Sequence, residues 1–151
     1  MIKCRKGFSI IELLIVIAII AVLTTFAVPA FLKYTANANL KSATREITSD
    51  ILNQKEKAIS ENRKQRITFS TANESYTLEE RNAADTAYEN PQTKALKHFG
   101  SSIDITGGYI MTFQTRGTAN NGTIALANNR GSIATITVNI TGRTYVTFSM
   151  Q

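Results

Sequence analysis

The sequence of 151 residues contains one cysteine, one histidine, two prolines and no tryptophan. A single thiol, Cys4, excludes an intramolecular disulfide and any metal site built from several cysteines. With His98 as the only imidazole, centres that need several histidines are ruled out, and a triad resting on a positioned histidine has little support. His98 stands beside Phe99 with no partner motif and reads as a strand or loop residue without a catalytic role. Glu79-Glu80 and Glu12 lie in unrelated parts of the chain and make no acid–base pair. The glycines sit in turn-like settings, with no strand–GxxxxGK–helix context for phosphate. These absences predict a protein with no catalytic residues, no metal and no cofactor.

Acidic residues are also in the minority, 11 against 17 basic ones. Three of the basic residues, Lys3, Arg5 and Lys6, fall within the first seven positions, leaving 14 against 11 beyond them. A surplus of three is mild, unlike the dense basic face of a nucleic-acid-binding domain. The length suits one domain, and an apolar share of 43% argues against a disordered chain.

The apolar share is concentrated. From Phe8 the chain reads FSIIELLIVIAIIAVLTTFAVPAFL, and Glu12 is its only charge. The uncharged stretch Leu13 to Leu32 would span about 30 Å as a helix, enough for a bilayer core. The basic residues before it favour a cytoplasmic amino terminus. The run is too long for a signal-peptide core, and Ala27-Val28-Pro29-Ala30 is a poor cleavage site. A plain membrane anchor has the right length but gives no reason for Glu12. A charge at the centre of a membrane helix costs about 2.5–3.5 kcal/mol, less near its end, and so calls for a functional explanation. Pro29 lacks an N–H and clashes with the carbonyl of residue 25, which predicts a kink or opening near Thr25. Thr24 and Thr25 are placed to bond the freed carbonyls.

Lys6-Gly7-Phe8-Ser9-Ile10-Ile11-Glu12-Leu13-Leu14, followed by the apolar run, resembles the class III signal of type IV pilins and type II secretion pseudopilins. The resemblance implies cleavage after Gly7 by a prepilin peptidase and N-methylation of the new terminal residue, Phe8. It places the family's assembly glutamate on Glu12 and its helix-kinking proline on Pro29. The physics agrees with it. A terminal amine on Phe8 lies one helical turn from Glu12. If apolar helices pack in a filament core, both charges need partners, and Glu12 of one subunit paired with the amine of its neighbour satisfies both.

Beyond residue 32, Leu40, Ala43, Ile47, Ile51, Ala58 and Ile59 recur at mostly three- and four-residue steps among polar residues, predicting an amphipathic helix that ends near Glu61-Asn62. A helix from about Ser9 to Asn62 would be about 80 Å long. The period then changes to two. Gln65–Ser70 and Ser75–Glu79 alternate apolar and polar around the turn Thr71–Glu74. Arg81 to Thr93, with Pro91, reads as an irregular loop. Further strands are expected at 102–106, 109–114, 123–127, 133–139 and 144–150, punctuated by Gly107-Gly108, Asn120-Asn121-Gly122, Asn128–Gly131 and Thr141-Gly142.

The predicted fold class is α+β: a long amino-terminal helix, transmembrane in its first half and amphipathic in its second, packed on an antiparallel β-rich head as in pilins. The expected segments are a cleaved leader (1–7), a transmembrane or filament-core helix (8–32), the head's amphipathic helix (33–62) and the β-rich periplasmic head (63–151).

The head resembles one branch, the H-type pseudopilins and FimT-like minor pilins. The resemblance rests on the Glu56–Ile59 helix end before Ile67-Thr68-Phe69, on Thr112–Thr118, on Gly122-Thr123-Ile124 and Ile136-Thr137-Val138, and on Thr141-Gly142-Arg143. The tail departs from that branch: Gly142-Arg143-Thr144-Tyr145-Val146 lacks the second arginine and the cysteine many members carry. The resemblance implies a minor pilin or pseudopilin. The alternatives are a major pilin, or a minor pilin that binds DNA in transformation. Expected partners are other pilin or pseudopilin subunits, the prepilin peptidase, an inner-membrane assembly platform and membrane lipid. Nucleic acid would be a partner only in the DNA-binding alternative, through Lys64, Arg66, Arg116, Arg130 and Arg143. Lys55, Lys57, Arg63, Lys64 and Arg66 otherwise read as a solvated basic helix end.

Overall fold

A computed structural model describes residues 8–100 and 103–151. The leader positions Met1 to Gly7, including Cys4 and the expected cleavage residue Gly7, lie outside the described residues. A helix, α1, occupies Ile10–Ser60, and the chain falls into two compact units, one up to Thr35 and one from Ala36 to Gln151.

In the first unit α1 begins where Ser9 accepts the amides of Glu12 and Leu13 through its carbonyl, at 3.1 and 3.2 Å. The helix runs on through Pro29. The Thr24 and Thr25 hydroxyls both donate to the carbonyl of Ala21, at 2.9 and 3.0 Å, one turn earlier than expected.

The second unit is the head. Its part of α1 buries Leu40, Ala43, Ile47, Ile51 and Ala58, a stripe at helical spacing. Ile59, expected in that stripe, is half exposed. The helix stops because Asn62 takes a left-handed conformation (φ 52°), which asparagine tolerates better than most residues.

Eight strands follow: β1 Gln65–Ser70, β2 Ser75–Arg81, β3 Tyr88–Ala95, β4 Ile103–Thr106, β5 Ile110–Phe113, β6 Gly122–Asn128, β7 Ile133–Val138 and β8 Thr144–Ser149. They form two antiparallel four-stranded sheets, ordered β3-β2-β1-β5 and β4-β6-β7-β8. Period-two alternation sends Ile67, Phe69, Tyr76 and Leu78 from the first sheet, and Ile124, Leu126, Ala134, Ile136 and Val138 from the second, into one core with α1.

The segment expected as an irregular loop contains β3. Its polar residues and Pro91 fit because β3 is an edge strand, where a missing N–H and solvent-facing side chains are both tolerated. A short 3₁₀ turn, Leu96–Phe99, leads away from β3 and buries Leu96. The Glu74 carboxylate, at the β1–β2 turn, accepts the amide of Ile105 in β4 and so ties the two sheets together, while the Phe69 amide donates to the Tyr109 carbonyl and extends the β1–β5 ladder.

Candidate functional site

The chemistry expected at the amino terminus depends on two groups. Phe8 directly precedes the helix-capping Ser9, and Glu12 lies in the first turn of α1, where a carboxylate is favoured by the helix dipole. Among the described residues Glu12 has no ion-pair partner. Phe8, Ile10, Ile11 and nearly every large apolar residue up to Leu32 are exposed, and the most apolar window of α1 has none of its residues buried. Burial returns about 25 cal/mol per Å² of apolar surface, so this stripe demands lipid or neighbouring helices around it. Assembly can use it, whereas water cannot accommodate it.

In the head, the five cations weighed for nucleic acid do not form one face. Arg66 makes a two-pronged pair with Glu79, at 2.8 and 2.9 Å, and lies over the ring of Tyr88. The Glu79 bond raises the Arg66 guanidinium's affinity for its proton above the ordinary value and outweighs the opposing effect of burial. Lys64 reaches Asp85 at 2.8 Å; that bond, helped by Arg81, holds the Asp85 carboxyl below its usual range.

Arg130 occupies the β6–β7 turn, which Asn128 links to Asn37 of α1. Arg116 and Arg143 are exposed on two other turns that abut each other. A Cβ on Gly142 would lie 2.2 Å from the carbonyl oxygen of Gly117, and Lys55 donates to the Gly142 carbonyl at 3.0 Å. Residues 37 and 55 are separated by about 27 Å of helix at 1.5 Å per residue. The turns that carry Arg116 and Arg143 thus meet beside Lys55, while Arg130 lies toward the other end of the head's helix and Lys64 and Arg66 are ion-paired.

Sequence reasoning missed a buried polar cluster. Asp50 on α1 accepts from the hydroxyl of Tyr76 (2.6 Å) and the ammonium of Lys94 (2.7 Å), and Glu46 stands 3.3 Å from the same hydroxyl. His98, for which the sequence offers no partner motif, lies between the Ala95 carbonyl (2.7 Å) and Glu46 (3.2 Å). Burial first, and then the bond to Asp50, push the Tyr76 phenol above its ordinary range. Desolvation pulls the Lys94 ammonium down, but the Asp50 bond and the charges of Asp50 and Glu46 leave it raised. The spacing of Glu46 and Asp50, four apart on the helix, was legible; their partners on β2 and β3 were not. The cluster is a structural clamp between α1 and the β3 edge of the first sheet.

An exposed apolar helix carrying one carboxylate near its start, followed by an α+β head, is a pilin-like architecture. The prokaryotic N-terminal methylation motif matches residues 2–28. A fimbrial protein of Pseudomonas aeruginosa is 43% identical over 47 residues, which is 31% of this chain and 30% of that protein. The type IV major pilin PilE1 of Neisseria gonorrhoeae is 51% identical over 39 residues, 26% of this chain and 24% of its own. The chain thus matches under a third of the length of these relatives.

The head's fold is that of the minor pseudopilin EpsH from the type 2 secretion system of Vibrio cholerae (TM-score 0.61, 13% identity, 72% of this chain and 96% of that one). It is also that of the type IV minor pilin FimU of Pseudomonas aeruginosa (TM-score 0.58, 16% identity, 76% and 92%). The chain thus carries a pilin-type amino-terminal motif ahead of a head that has the fold of these two subunits.

Proposed function

We propose that this chain acts by assembly, as a minor pilin or pseudopilin of a type IV pilus or type II secretion pseudopilus. The observation that carries the proposal is the uncovered apolar stripe of α1 with Glu12 one turn from Phe8. In this reading the helix resides in the inner membrane with its amino terminus cytoplasmic and its head periplasmic. A prepilin peptidase cuts between Gly7 and Phe8, Phe8 is N-methylated, and an assembly platform draws the subunit into a filament. Apolar contacts between helices then replace lipid. Glu12 and the amine of a neighbouring Phe8 neutralise each other, which fixes the axial register because neither charge is stable unpaired in that setting.

Mass spectrometry of the native membrane-extracted protein tests this directly. A mature chain beginning at N-methylated Phe8 supports the pathway. A chain that retains residues 1–7, or is cut near Ala30, refutes it. Glu12→Ala should then block incorporation into filaments while leaving the processed subunit in the membrane; unchanged incorporation removes the pairing mechanism. Low cellular abundance relative to another pilin distinguishes a minor subunit from the major-pilin alternative.

DNA binding remains a second reading on one observation, the convergence of Arg116 and Arg143 beside Lys55. Two cations on adjoining turns, with Lys55 of α1 beside them, suit sequence-blind phosphate contact.

A further inference from the structure

The second sheet ends at β8, and the side of β8 away from β7 is unoccupied among the described residues. At the β7–β8 hairpin, Asn139 donates to the carbonyl of Arg143 at 3.0 Å. This sets the ladder, so that Thr137–Tyr145, Thr135–Thr147 and Ile133–Ser149 are the hydrogen-bonding pairs. Thr144, Val146 and Phe148 therefore turn their backbone N–H and C=O groups to the open edge. Their side chains share the face of Val138, Ile136 and Ala134, which are fully buried. Phe148 nevertheless remains 44% exposed, because nothing covers the space between β8 and α1. That space is a groove of about 590 Å³ whose walls include Thr48 and Leu52 of α1 and Val146 and Phe148 of β8. Its charged lining residues are Lys41 and Arg45, one helical turn apart, and no carboxylate lines it.

We infer that this groove takes an extended segment of a partner protein as a fifth strand of the second sheet, its groove-facing side chains aliphatic over Leu52 and Phe148 and acidic beside Lys41 and Arg45. The three features specify the occupant separately. Free backbone groups along β8 call for another strand. At the ordinary strand spacing of about 4.8 Å, the inward side chains of that strand fall on Leu52 and Phe148 and must be apolar. The Lys41–Arg45 pair calls for carboxylates. The site lies wholly within the head and does not depend on what α1 does in a membrane.

The test uses the full chain in detergent micelles and a set of fluorescein-labelled peptides whose same-face, every-second positions combine Val, Ile or Leu with Asp or Glu, read by fluorescence anisotropy. Peptides from this set should bind. Phe148→Glu, at a side chain exposed enough to change without unfolding the head, should weaken binding by about tenfold or more, equivalent to about 1.4 kcal/mol. Tyr145→Glu, on the opposite face of the same strand, should not. Lys41→Glu with Arg45→Glu should weaken binding independently of any effect of Phe148→Glu on folding. N-methylation of peptide amides of one parity should abolish binding, while the other parity is tolerated, since only alternate amides face β8.

Failure of every peptide to bind overturns the inference, as does equal tolerance of both methylation parities. Self-association of the chain without peptide, reversed by Phe148→Glu in sedimentation, also overturns it by showing that a second copy occupies the groove.

Discussion

The Asp50 clamp makes a quantitative demand on the head's stability. Tyr76 is fully buried, stacks on Phe69 with ring centroids 5.7 Å apart, and gives its hydroxyl proton to Asp50 at 2.6 Å. Tyr76→Phe keeps the ring and its packing but removes the donor. A hydrogen bond to a charged group contributes about 1.5–3 kcal/mol, so the substitution should destabilise the head by about 2 kcal/mol. Asp50→Ala removes more. The Tyr76 hydroxyl keeps only Glu46 at 3.3 Å, and the Lys94 ammonium only Glu46 at 3.7 Å. Breaking a buried ion pair costs about 3–5 kcal/mol. Because the Lys94 side chain is about a third exposed, the lower end applies, about 3 kcal/mol.

For a unit of this size each kcal/mol lowers Tm by about 4 °C, giving shifts of about 8 and 12 °C. Thermal and urea unfolding of the full chain in detergent, followed by tyrosine fluorescence and near-ultraviolet circular dichroism, read both variants and their combination. The double variant should fall short of the sum by about 1–2 kcal/mol, since both substitutions remove the same bond. Additive losses, or a Tyr76→Phe shift within about 1 °C, would refute the clamp.

The same cluster sets the response to alkali. The Tyr76 phenol is raised in the folded head, so the unfolded chain gives up that proton first, near pH 10. Stability is therefore complete below about pH 10 and falls as pH rises further; Tyr76→Phe should flatten that slope, and an unchanged slope in denaturant titrations would sink the assignment. Gly142 has φ 70°, and a Cβ there meets backbone, so Gly142→Ala should cost about 2 kcal/mol or more in thermal melts; a loss below about 0.5 kcal/mol would mean the two turns separate easily. Replacing Arg116 and Arg143 together by Glu should remove any DNA retardation by the chain at low salt while Arg130→Glu leaves it intact; equal effects from both would disperse the proposed contact.

The long helix and the strand-rich head were legible because each is encoded by a period. Leu40, Ala43, Ile47 and Ile51 follow the helical repeat, and β1, β2, β6 and β7 follow alternation. β3 was hidden because an edge strand facing solvent on both sides shows no alternation, and Pro91 argued against it. The end of α1 was readable from Asn62, but Ile59 was misplaced: the helix turns that position away from the core just before it stops. At the candidate site, Phe8 and Glu12 stand out because a lone carboxylate in an apolar run is costly. The clamp and the convergence of Arg116 with Arg143 rest on pairings dozens of residues apart, and alternation says nothing about which strand meets which.

The two kinds of relationship separate in the same way. The sequence matches are short and include major pilins, whereas the structural matches span most of the head and are to minor subunits at 13–16% identity. In the proposed function the amino-terminal segment would have to satisfy lipid, a processing enzyme and neighbouring helices, a demand on nearly every side chain that would preserve identity across subunits with different jobs. A sheet-and-helix head needs only its inward positions apolar and its turns correctly placed, a demand that many sequences meet. Identity in a short shared stretch therefore carries no weight in deciding between major and minor subunit. That distinction has to be sought in surfaces the head leaves unfilled, and the open β8 edge, with Phe148 and the Lys41–Arg45 pair beside it, is where a particular neighbour would be chosen.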